Sequence, residues 1–496
     1  MIARLFPSTA CVLLAAATGL NAISATARAD DPKLPEMAAS PRQFNVRDFG
    51  AVGDGKAVDT AAIRRAIQAC ADAGGGQVVV PAGTYLSGPL QLRSNLDFHM
   101  EAGAEILFSP NRMDYDLVFG SFEGKQTVIC MSPLTADGVH DVSITGSGTF
   151  DGHGDRWRQT KRSKLTPAQW NELVASGGVL DQREATWYPS KEALEGVAGL
   201  AKLRAGDAPP RIEDYQPYRD LLRPPLLQFS NCQRLLLDGP TFRNSPAWNL
   251  HPILCEDVTI RNVTAYNPEY AQNGDGIDID SCRNVLVADS TIDAGDDAIC
   301  LKSGRDAEGR KLGRPCEHIT ITRCKIGTGH GGISIGSEMS GGVRDVRVSH
   351  CTMDGTDTGV RLKTTRGRGN VVEDISVSDI TMSHINQSAI EFNMYYMIKG
   401  TPKAEPVGEG TPCFRNIQLT RIKCEGAAQA IIIRGLPEMP IESITITDAD
   451  IVAKSAGEIT YAKDVTLTNV QLHTGNSTLK IENSQGVKSD QPLVVQ

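Results

Sequence analysis

The chain has 496 residues, with 50 basic and 59 acidic side chains and a formal net charge of −9. This acidic balance disfavours nucleic acid and anionic membranes as partners. The length exceeds that of most single domains, unless the fold is built from repeats that pack only on their neighbours. The twelve cysteines form no Cys-x-x-Cys pairs, which disfavours a zinc site.

The first 29 residues are typical of an export signal. Arg4 gives a positive start, residues 5–20 are mostly apolar, and Ala27-Arg28-Ala29 forms a small-x-small cleavage site. The apolar stretch is interrupted and short for a membrane anchor, which is the alternative. We therefore expect a mature protein that begins near Asp30, leaves the cytoplasm as a secreted or periplasmic protein and does not associate with a membrane.

One amphipathic helix is predicted after residue 58. Asp59 or Thr60 can cap its start, and Gly74-Gly75-Gly76 ends it. Its apolar residues recur at helical spacing. They are Ala62, Ile63, Ala66, Ile67 and Cys70.

A short repeat dominates the rest of the chain, in which a polar pair precedes an apolar-x-apolar triplet. Neighbouring copies are often about 21 to 29 residues apart, which is typical of a solenoid. Because the copies are rich in Val, Ile and Thr and are separated by Gly, Asn and Asp, they predict stacked short strands. We predict an all-β fold, a parallel β-helix over residues 30–496, with the helix capping its N-terminal end. The triplets begin at residues 142, 235, 258, 285, 319, 346, 375, 417, 444 and 465.

The cysteines at 255, 282, 324 and 351 recur near the boundaries of the repeats. These cysteines could form a stack of buried thiols, or they could form disulfides. Eleven cysteines would remain after signal cleavage, and an odd number leaves at least one thiol free.

The repeat is interrupted at about residues 152–224. This insertion holds Trp157, Trp170 and Trp187, three of the four tryptophans of the chain. Long insertions in solenoids often form loops over the binding face, so a lining role in a cleft is predicted. A helical excursion with a small core of its own is the alternative.

Four polar motifs lie on consecutive repeats. Side chains one coil apart stack at about the spacing of adjacent strands, near 4.8 Å, so these motifs should converge on one face. Taken singly, each motif has another interpretation: a surface turn, a Ca²⁺ site or a solvated strand. Their alignment favours one functional site. They are Asn273-Gly274-Asp275-Gly276, Gly295-Asp296-Asp297, Gly329-His330-Gly331 and Arg361-Leu362-Lys363.

Three clustered carboxyls cannot all ionise freely. Their mutual repulsion should raise the pKa of at least one of Asp275, Asp296 and Asp297. Glycoside hydrolysis needs this division between a protonated carboxyl and a carboxylate.

The segment from Asn273 to Lys363 resembles glycoside hydrolase family 28, the polygalacturonases and related pectinases. Phe44–Ala51 and Val80–Tyr85 extend the likeness over most of the mature chain. Gly274 departs from the family, in which many members have Thr. The resemblance implies a right-handed parallel β-helix that cuts pectic polysaccharide or oligogalacturonide. We also expect a monomer that needs no cofactor or metal.

The resemblance also implies roles for the motif residues. Asp296 resembles the general acid, while Asp275 and Asp297 resemble the pair that activates water, with inversion at the anomeric carbon. His330 resembles the residue that tunes the acid. Arg361 and Lys363 resemble the groups that hold a galacturonate carboxylate, which suits their chemistry.

Further candidates for binding substrate surround the motifs, and each could equally be a core or solvated residue. They are Lys302, His251, Arg366 and Tyr395, with Tyr396 as the alternative to Tyr395. The residues 302–304, the segment 336–342 and the insertion are similar to exo-acting bacterial members. We therefore predict release of units from the non-reducing end. A rhamnogalacturonan or substituted-galacturonan hydrolase, a β-elimination lyase and a non-catalytic glycan-binding β-helix are the alternatives.

Overall fold

The computed structural model describes residues 32–36, 41–183, 185–206, 209, 211–400, 402–475 and 477–491. The predicted signal peptide, residues 1–29, lies outside the described residues. Among the helices that are described, none is long and apolar enough to cross a bilayer.

Thirty-three strands form one continuous sheet whose neighbours pair in parallel, one coil apart. The chain passes in turn through three columns of stacked strands, so the predicted all-β parallel β-helix is confirmed. Connections between parallel strands are right-handed, which sets the hand of the solenoid. The sequence takes this form because each short strand buries its apolar face only against the coils above and below it.

Column 1 carries every apolar triplet of the sequence repeat. Four long strands run through more than one column: Val371–Ser383 and Ala462–His473 span columns 1 and 2, and Cys413–Arg434 and Ile441–Thr460 span all three. The other strands of column 1 are Gln43–Asn45, Gly76–Val80, Leu96–Met100, His140–Gly146, Gln233–Asp238, Glu256–Arg261, Arg283–Ala288, Cys316–Thr322, Val343–Ser349 and Lys488–Ser489.

Columns 2 and 3 complete each coil. The strands of column 2 are Asp54–Val58, Gly83–Ser87, Ala104–Phe108, Thr149–Asp151, Thr241–Arg243, Thr264–Tyr266, Thr291–Asp293, Lys325–Ile326 and Thr352–Asp354. Those of column 3 are Leu90–Gln91, Leu134–Asp137, Leu227–Ser230, Leu250–Ile253, Ile277–Asp280, Ile299–Lys302, Gly329–Ile335, Thr356–Lys363, Ile385–Asn393 and Lys480–Glu482.

The core is a set of aligned apolar ladders. In column 1, Val258 pairs with Val285 and Val285 with Ile319, and all three are buried. Full burial of such a side chain contributes about 1.5–3 kcal/mol. The residue just before each of these rungs has a positive φ, which is 56° at Asp257, 56° at Asn284 and 57° at His318. Asp and Asn tolerate this conformation, which explains the polar pair that precedes the triplet in the repeat.

The predicted helix spans Thr60–Asp72 and covers the N-terminal end of the core with its five predicted apolar residues, all buried. Its predicted cap is wrong, because no side chain bonds the first turn. The Asp59 carboxylate accepts instead from the backbone N–H groups of Val52 and Gly53, at 2.7 and 3.0 Å. The Thr60 hydroxyl accepts from Gly88 N at 2.7 Å.

The insertion folds as an excursion beside the coils. A hairpin of Leu117–Phe122 and Lys125–Cys130 packs against it, and the two share a small core that includes Tyr115, Trp157 and Leu200. Its helices are Pro167–Ala175, Lys191–Arg204 and Ile212–Tyr215, and its 3-10 turns are Gly154–Arg156, Arg162–Lys164 and Gln216–Leu221. Its strands are Thr160–Lys161, Val179–Asp181 and Thr186–Tyr188. The remaining helical elements are Asp306–Leu312, Val46–Phe49 and Arg112–Asp114.

All eleven cysteines within the described ranges are free thiols, and ten are buried. The alternative of stacked thiols is therefore the one adopted. Backbone N–H groups of Cys232 and Cys255 each donate to the sulfur one coil on, at 3.4 Å. Burial raises the pKa of Cys316 from 9.0 well beyond its ordinary range, so this thiol stays protonated.

Candidate active site

The four polar motifs converge on the outer face of column 3. Asp275 lies just before the strand Ile277–Asp280, and Asp296 and Asp297 lie just before the strand Ile299–Lys302. One carboxylate oxygen from each of these three aspartates lies within 4.8 Å of the others. His330 opens the next strand, and Arg361 and Lys363 follow on the strand Thr356–Lys363.

Asp275 is a buried carboxyl with few donors. Its side chain is 4% exposed, and the ammonium of Lys302 lies 3.8 Å from its Oδ2. Among the described residues no hydrogen-bond donor reaches its Oδ1. Burial, with the negative charges of Asp278 and Asp296, raises the pKa of Asp275 well above its usual value. Asp275 therefore holds its proton more firmly than an ordinary carboxyl.

Asp297 is the opposite case. Lys363 donates to its Oδ2 at 2.7 Å, Ser334 donates to its Oδ1 at 2.9 Å, and Arg361 lies 3.5 Å away. Burial acts to raise the pKa of Asp297, but the charges of Lys363 and Arg361 outweigh it and hold the pKa well below the usual range. Asp297 is a fixed negative charge.

Asp296 is the most exposed of the three, at 26% of its side chain, and it forms a pair with His330. The imidazole Nδ1 donates to its Oδ1 at 3.0 Å, and His330 N donates to the backbone oxygen of Asp296 at 2.7 Å. Burial acts to raise the pKa of Asp296, but the hydrogen bond from His330, together with the positive charges of His330 and Lys363, outweighs it and the pKa is lowered. The same hydrogen bond raises the pKa of His330. The two groups share one dissociable proton.

Lys302 stands beside the aspartates in a cage of acids. Its ammonium lies 3.3 Å from Asp278, 3.5 Å from Glu338 and 4.7 Å above the ring of Trp248. Burial acts to lower the pKa of Lys302, but the surrounding acids outweigh it and raise the pKa well above the usual value. Lys302 therefore stays protonated, and the nearby carboxylates of Asp278 and Glu338 balance most of its positive charge.

The aspartates and Lys302 line one cavity. Cations from other loops face the same space: Arg305 follows column 3 directly, and Arg368 donates to Ser337 O at 2.9 Å. The other residues around the cavity are Glu123, Trp248, Asn273, Ser337, Glu338, Lys363, Thr365, Tyr396 and Met397.

Comparison with known proteins identifies this arrangement. Residues 218–471 match the family model described as glycosyl hydrolases family 28. The chain belongs to that family. It is therefore a glycoside hydrolase. Residues 43–103 match a second model, described as rhamnogalacturonase A/epimerase, pectate lyase-like.

Relatives within this family are similar over most of the chain. A hyperthermoactive exopolygalacturonase from Thermotoga maritima is 30% identical, with a TM-score of 0.73, over 91% of this chain and 94% of that one. A probable polygalacturonase from Vitis vinifera is 28% identical, over 82% of this chain and 73% of that protein. An exo-poly-alpha-D-galacturonosidase from Dickeya chrysanthemi is 27% identical, over 72% of this chain and 58% of that protein.

Gly274 is the position at which the chain departs from the motif it resembles, and the structure leaves no room there for a side chain. A Cβ built on Gly274 would lie 2.6 Å from the Cβ of Ala271 and 2.8 Å from its carbonyl oxygen. A Cβ built on Gly295 would lie 2.3 Å from the same carbonyl oxygen. The turn around Ala271 thus packs on the loops that carry Asp275 and Asp296 too closely for any side chain at these positions.

Three of the additional candidates do not line the cavity. His251 is fully buried behind Trp248, with ring centroids 4.8 Å apart, and its Nδ1 lies 3.1 Å from Gln228 Nε2. Arg366 donates to both carboxylate oxygens of Glu438, at 2.7 and 2.9 Å, so its charge is already engaged.

Tyr395 packs partly buried against the core, and its neighbour Tyr396 lines the cavity instead. The Tyr396 ring centroid lies 5.4 Å from the guanidinium of Arg361 and 5.3 Å from the ammonium of Lys363.

None of the described residues of the insertion lines the cavity that holds the aspartates. Several of them line a neighbouring cavity, which shares Glu123 and Arg305 with the first. The hairpin that packs against the insertion reaches the aspartate cavity instead. Its tip residue Glu123 lies 3.6 Å from Arg305, and Gln126 N lies 3.3 Å from Glu308. Phe122 stacks on Trp248 at 5.5 Å. The hairpin thus bridges the two sides of column 3.

Sequence reasoning missed Asp278, Glu338, Arg305 and Arg368. One signal was present: the alternation Ile277-Asp278-Ile279-Asp280 places two acids on the outer face of a strand directly after the first motif. The other three residues come from loops after column 3, where no periodicity fixes the path of the chain.

The carboxylates of Asp275, Asp296 and Asp297 lie as close together as the ligands of a divalent cation. Protein cations already contact each of them: Lys302 at Asp275, Lys363 at Asp297 and His330 at Asp296. We therefore assign no metal to the site, and activity in excess chelator tests that assignment. Full activity is expected, and a loss restored by one added cation would contradict it.

Proposed function

We propose that this protein hydrolyses the α-1,4-galacturonosyl linkages of pectin and releases galacturonate from the non-reducing end. The observation that carries the proposal is the presence, in one cavity, of three carboxylates in different surroundings and several cations. The carboxylates suit glycoside hydrolysis, and the cations suit a substrate with a carboxylate on every sugar. The relatives named as polygalacturonases support this substrate.

Asp296 is the general acid of this proposal. Its side chain is 26% exposed, against 4% for Asp275 and 1% for Asp297, so it presents an oxygen to the substrate. In the free protein the shared proton lies on His330. The hydrogen bond between the two lets this proton pass to Asp296 as Asp296 protonates the glycosidic oxygen.

Asp275 and Asp297 activate the attacking water. The raised pKa of Asp275 makes it the stronger proton acceptor, while the charge of Asp297 is fixed by Lys363. Their oxygens lie within 4.8 Å of Asp296, closer than the separation of roughly 6.5–9.5 Å common in inverting glycosidases. Inversion is therefore taken from the family resemblance. Proton NMR of the first-formed anomer tests it.

The substrate carboxylates are held by cations on both sides of the aspartates. Lys302 and Arg305 face the sugar at the chain end, and Arg361 and Lys363, beside the ring of Tyr396, face the next sugar. These local cations offset the net charge of −9, which would otherwise repel a polyanion.

Exo action rests on the hairpin. Because its tip contacts Arg305 and Gln126 contacts Glu308, the hairpin closes column 3 on the side of Lys302. A closed cavity admits a chain end, whereas an open groove admits the middle of a chain. The relatives named as exo-acting are consistent with this geometry.

A rhamnogalacturonan or substituted-galacturonan hydrolase is the second candidate, favoured by the match of residues 43–103 to the rhamnogalacturonase-like model. Comparing activity on rhamnogalacturonan and homogalacturonan oligomers separates the two candidates.

Chromatography of the products from polygalacturonate tests the main proposal. Galacturonate alone is expected from the first time point. A ladder of oligomers would refute exo action, and no product from polygalacturonate beside products from rhamnogalacturonan would favour the second candidate. An absorbing unsaturated product would indicate a lyase.

We further propose that the protein is exported, with cleavage after residue 29, and acts as a monomer on a pectic substrate. N-terminal sequencing of the mature protein and its mass in solution test these two points.

A further inference from the structure

Lys302 is shared among three carboxylates at nearly equal distances. Its ammonium lies 3.3 Å from Asp278, 3.5 Å from Glu338 and 3.8 Å from Asp275, and its side chain is 5% exposed. The longest of these contacts is the one to Asp275. A further anion in the cavity would thus find an ammonium that is only weakly held on the side of the catalytic carboxyl.

The surroundings of Asp275 make it sensitive to that contact. Lys302 is the one cation within 4.0 Å of its carboxylate among the described residues. The other charged groups that act on it are Asp278, Asp296, Asp297 and the more distant Arg223. Asp297, in contrast, keeps Lys363 and Arg361 whatever happens to Lys302.

We propose that Lys302 links recognition of the terminal uronate to the charge state of Asp275. The bound carboxylate draws the ammonium from Asp275, which loses its nearest positive charge and becomes a stronger base for the attacking water. The inference rests on the proposed function and deepens it: the terminal carboxylate is needed for turnover as well as for binding.

The expected size follows from Coulomb's law. Moving the ammonium from 3.8 Å to about 5 Å, at an effective dielectric constant near 20, raises the pKa of Asp275 by roughly 0.5–1. The acid side of the profile of kcat against pH reports the substrate complex, and that of kcat/KM reports the free enzyme. The midpoint in kcat should therefore lie about 0.5–1 pH unit above that in kcat/KM.

The test compares pH profiles of the wild type, Lys302→Met and Arg305→Met. Arg305 is the matched control, because it lines the same cavity but contacts Glu123 and Asp306 instead of Asp275. We expect the two midpoints to coincide in Lys302→Met and to stay separated in Arg305→Met, although both variants bind substrate more weakly. Equal midpoints in the wild type, or an undiminished separation in Lys302→Met, would overturn the inference.

A second measurement tests the link between Lys302 and Asp275 without enzyme turnover. The carboxyl carbon of ¹³C-labelled Asp275 is titrated in the full-length protein, with and without saturating D-galacturonate. An upward shift of the pKa by about 0.5–1 is expected in the wild type and in Lys302→Arg, but not in Lys302→Met. An unchanged titration overturns the link, whereas a ladder of products overturns only exo action. If Lys302→Met does not fold, Lys302→Arg and the wild type still decide the question.

Discussion

The two sides of the cluster formed by Asp275, Asp296 and Asp297 share one coil geometry but differ in what covers it. On the side before them, the outward side chains of column 3 are sealed: His251 is fully buried, and Gln228, one coil earlier, is buried as well. On the side after them, Arg434 and Glu458 point outward from the same column and keep 32% and 24% of their side chains exposed. The strands are equivalent, so the loops between columns decide whether the face is a cavity or a groove.

Replacing Asp296, which lies between the sealed side and the open side, should have the largest effect on turnover. Asp296→Asn removes the proton that the leaving oxygen needs, so kcat should fall roughly 10²- to 10⁴-fold, with KM nearly unchanged. Steady-state kinetics on oligogalacturonide measures it. Asp293→Asn, on the neighbouring column 2 strand, is the control for changes of charge. Substantial residual turnover in Asp296→Asn would refute the assignment of the acid.

The open side depends on Lys363. Lys363→Met removes a cation from the substrate and also leaves Asp297 with Arg361 as its remaining countercharge, so the pKa of Asp297 should rise. We expect kcat/KM to fall roughly 100-fold and the free energy of unfolding to fall by about 1–3 kcal/mol. Thermal unfolding and kinetics measure the two. If the free energy of unfolding falls while kcat/KM stays unchanged, Lys363 has only a structural role.

The closed side can be opened at the hairpin. Gly120 and Thr127 are paired across its strands, so an Asn-Gly turn can replace residues 121–126 and remove Phe122 and Glu123. We expect products to change from galacturonate alone to a ladder, because the cavity becomes a groove. The single change Glu123→Gln keeps the hairpin and should keep the monomer as product. A ladder of oligomers from Glu123→Gln, or galacturonate alone from the shortened protein, would contradict the proposal that the hairpin closes the cavity.

The smallest expected effect concerns His330 and appears only in pH dependence. Because the pKa of His330 is raised, the pair with Asp296 keeps its proton below that pKa and loses it as pH rises through it. In His330→Asn the proton rests on a carboxyl alone, so the alkaline side of the kcat profile should move to lower pH. The His330→Gln variant checks that the shift follows loss of the imidazole. An unmoved profile would exclude the shared proton.

The sequence predicted what depends on periodicity. The apolar triplets mark column 1, and the coil register places Asp275 beside Asp297 and Asp296 beside His330. Arg361 pairs with Ser334, four residues after His330 on the next strand. Contacts made by loops were not predictable in this way. Arg366 follows Lys363 by three residues, yet its side chain forms an ion pair with Glu438, 72 residues later in the chain. Which of Tyr395 and Tyr396 faces the cavity depends on the turn after column 3, where the strand alternation ends.

The stacked free thiols have a consequence for handling the protein. No bond between cysteines closes any coil in the described part of the chain, so its melting temperature should be the same in oxidising and reducing buffer. Ten of the thiols are buried, so alkylating reagents and peroxide reach them only after unfolding. The rate at which these thiols react in dilute denaturant would therefore measure how often the solenoid opens.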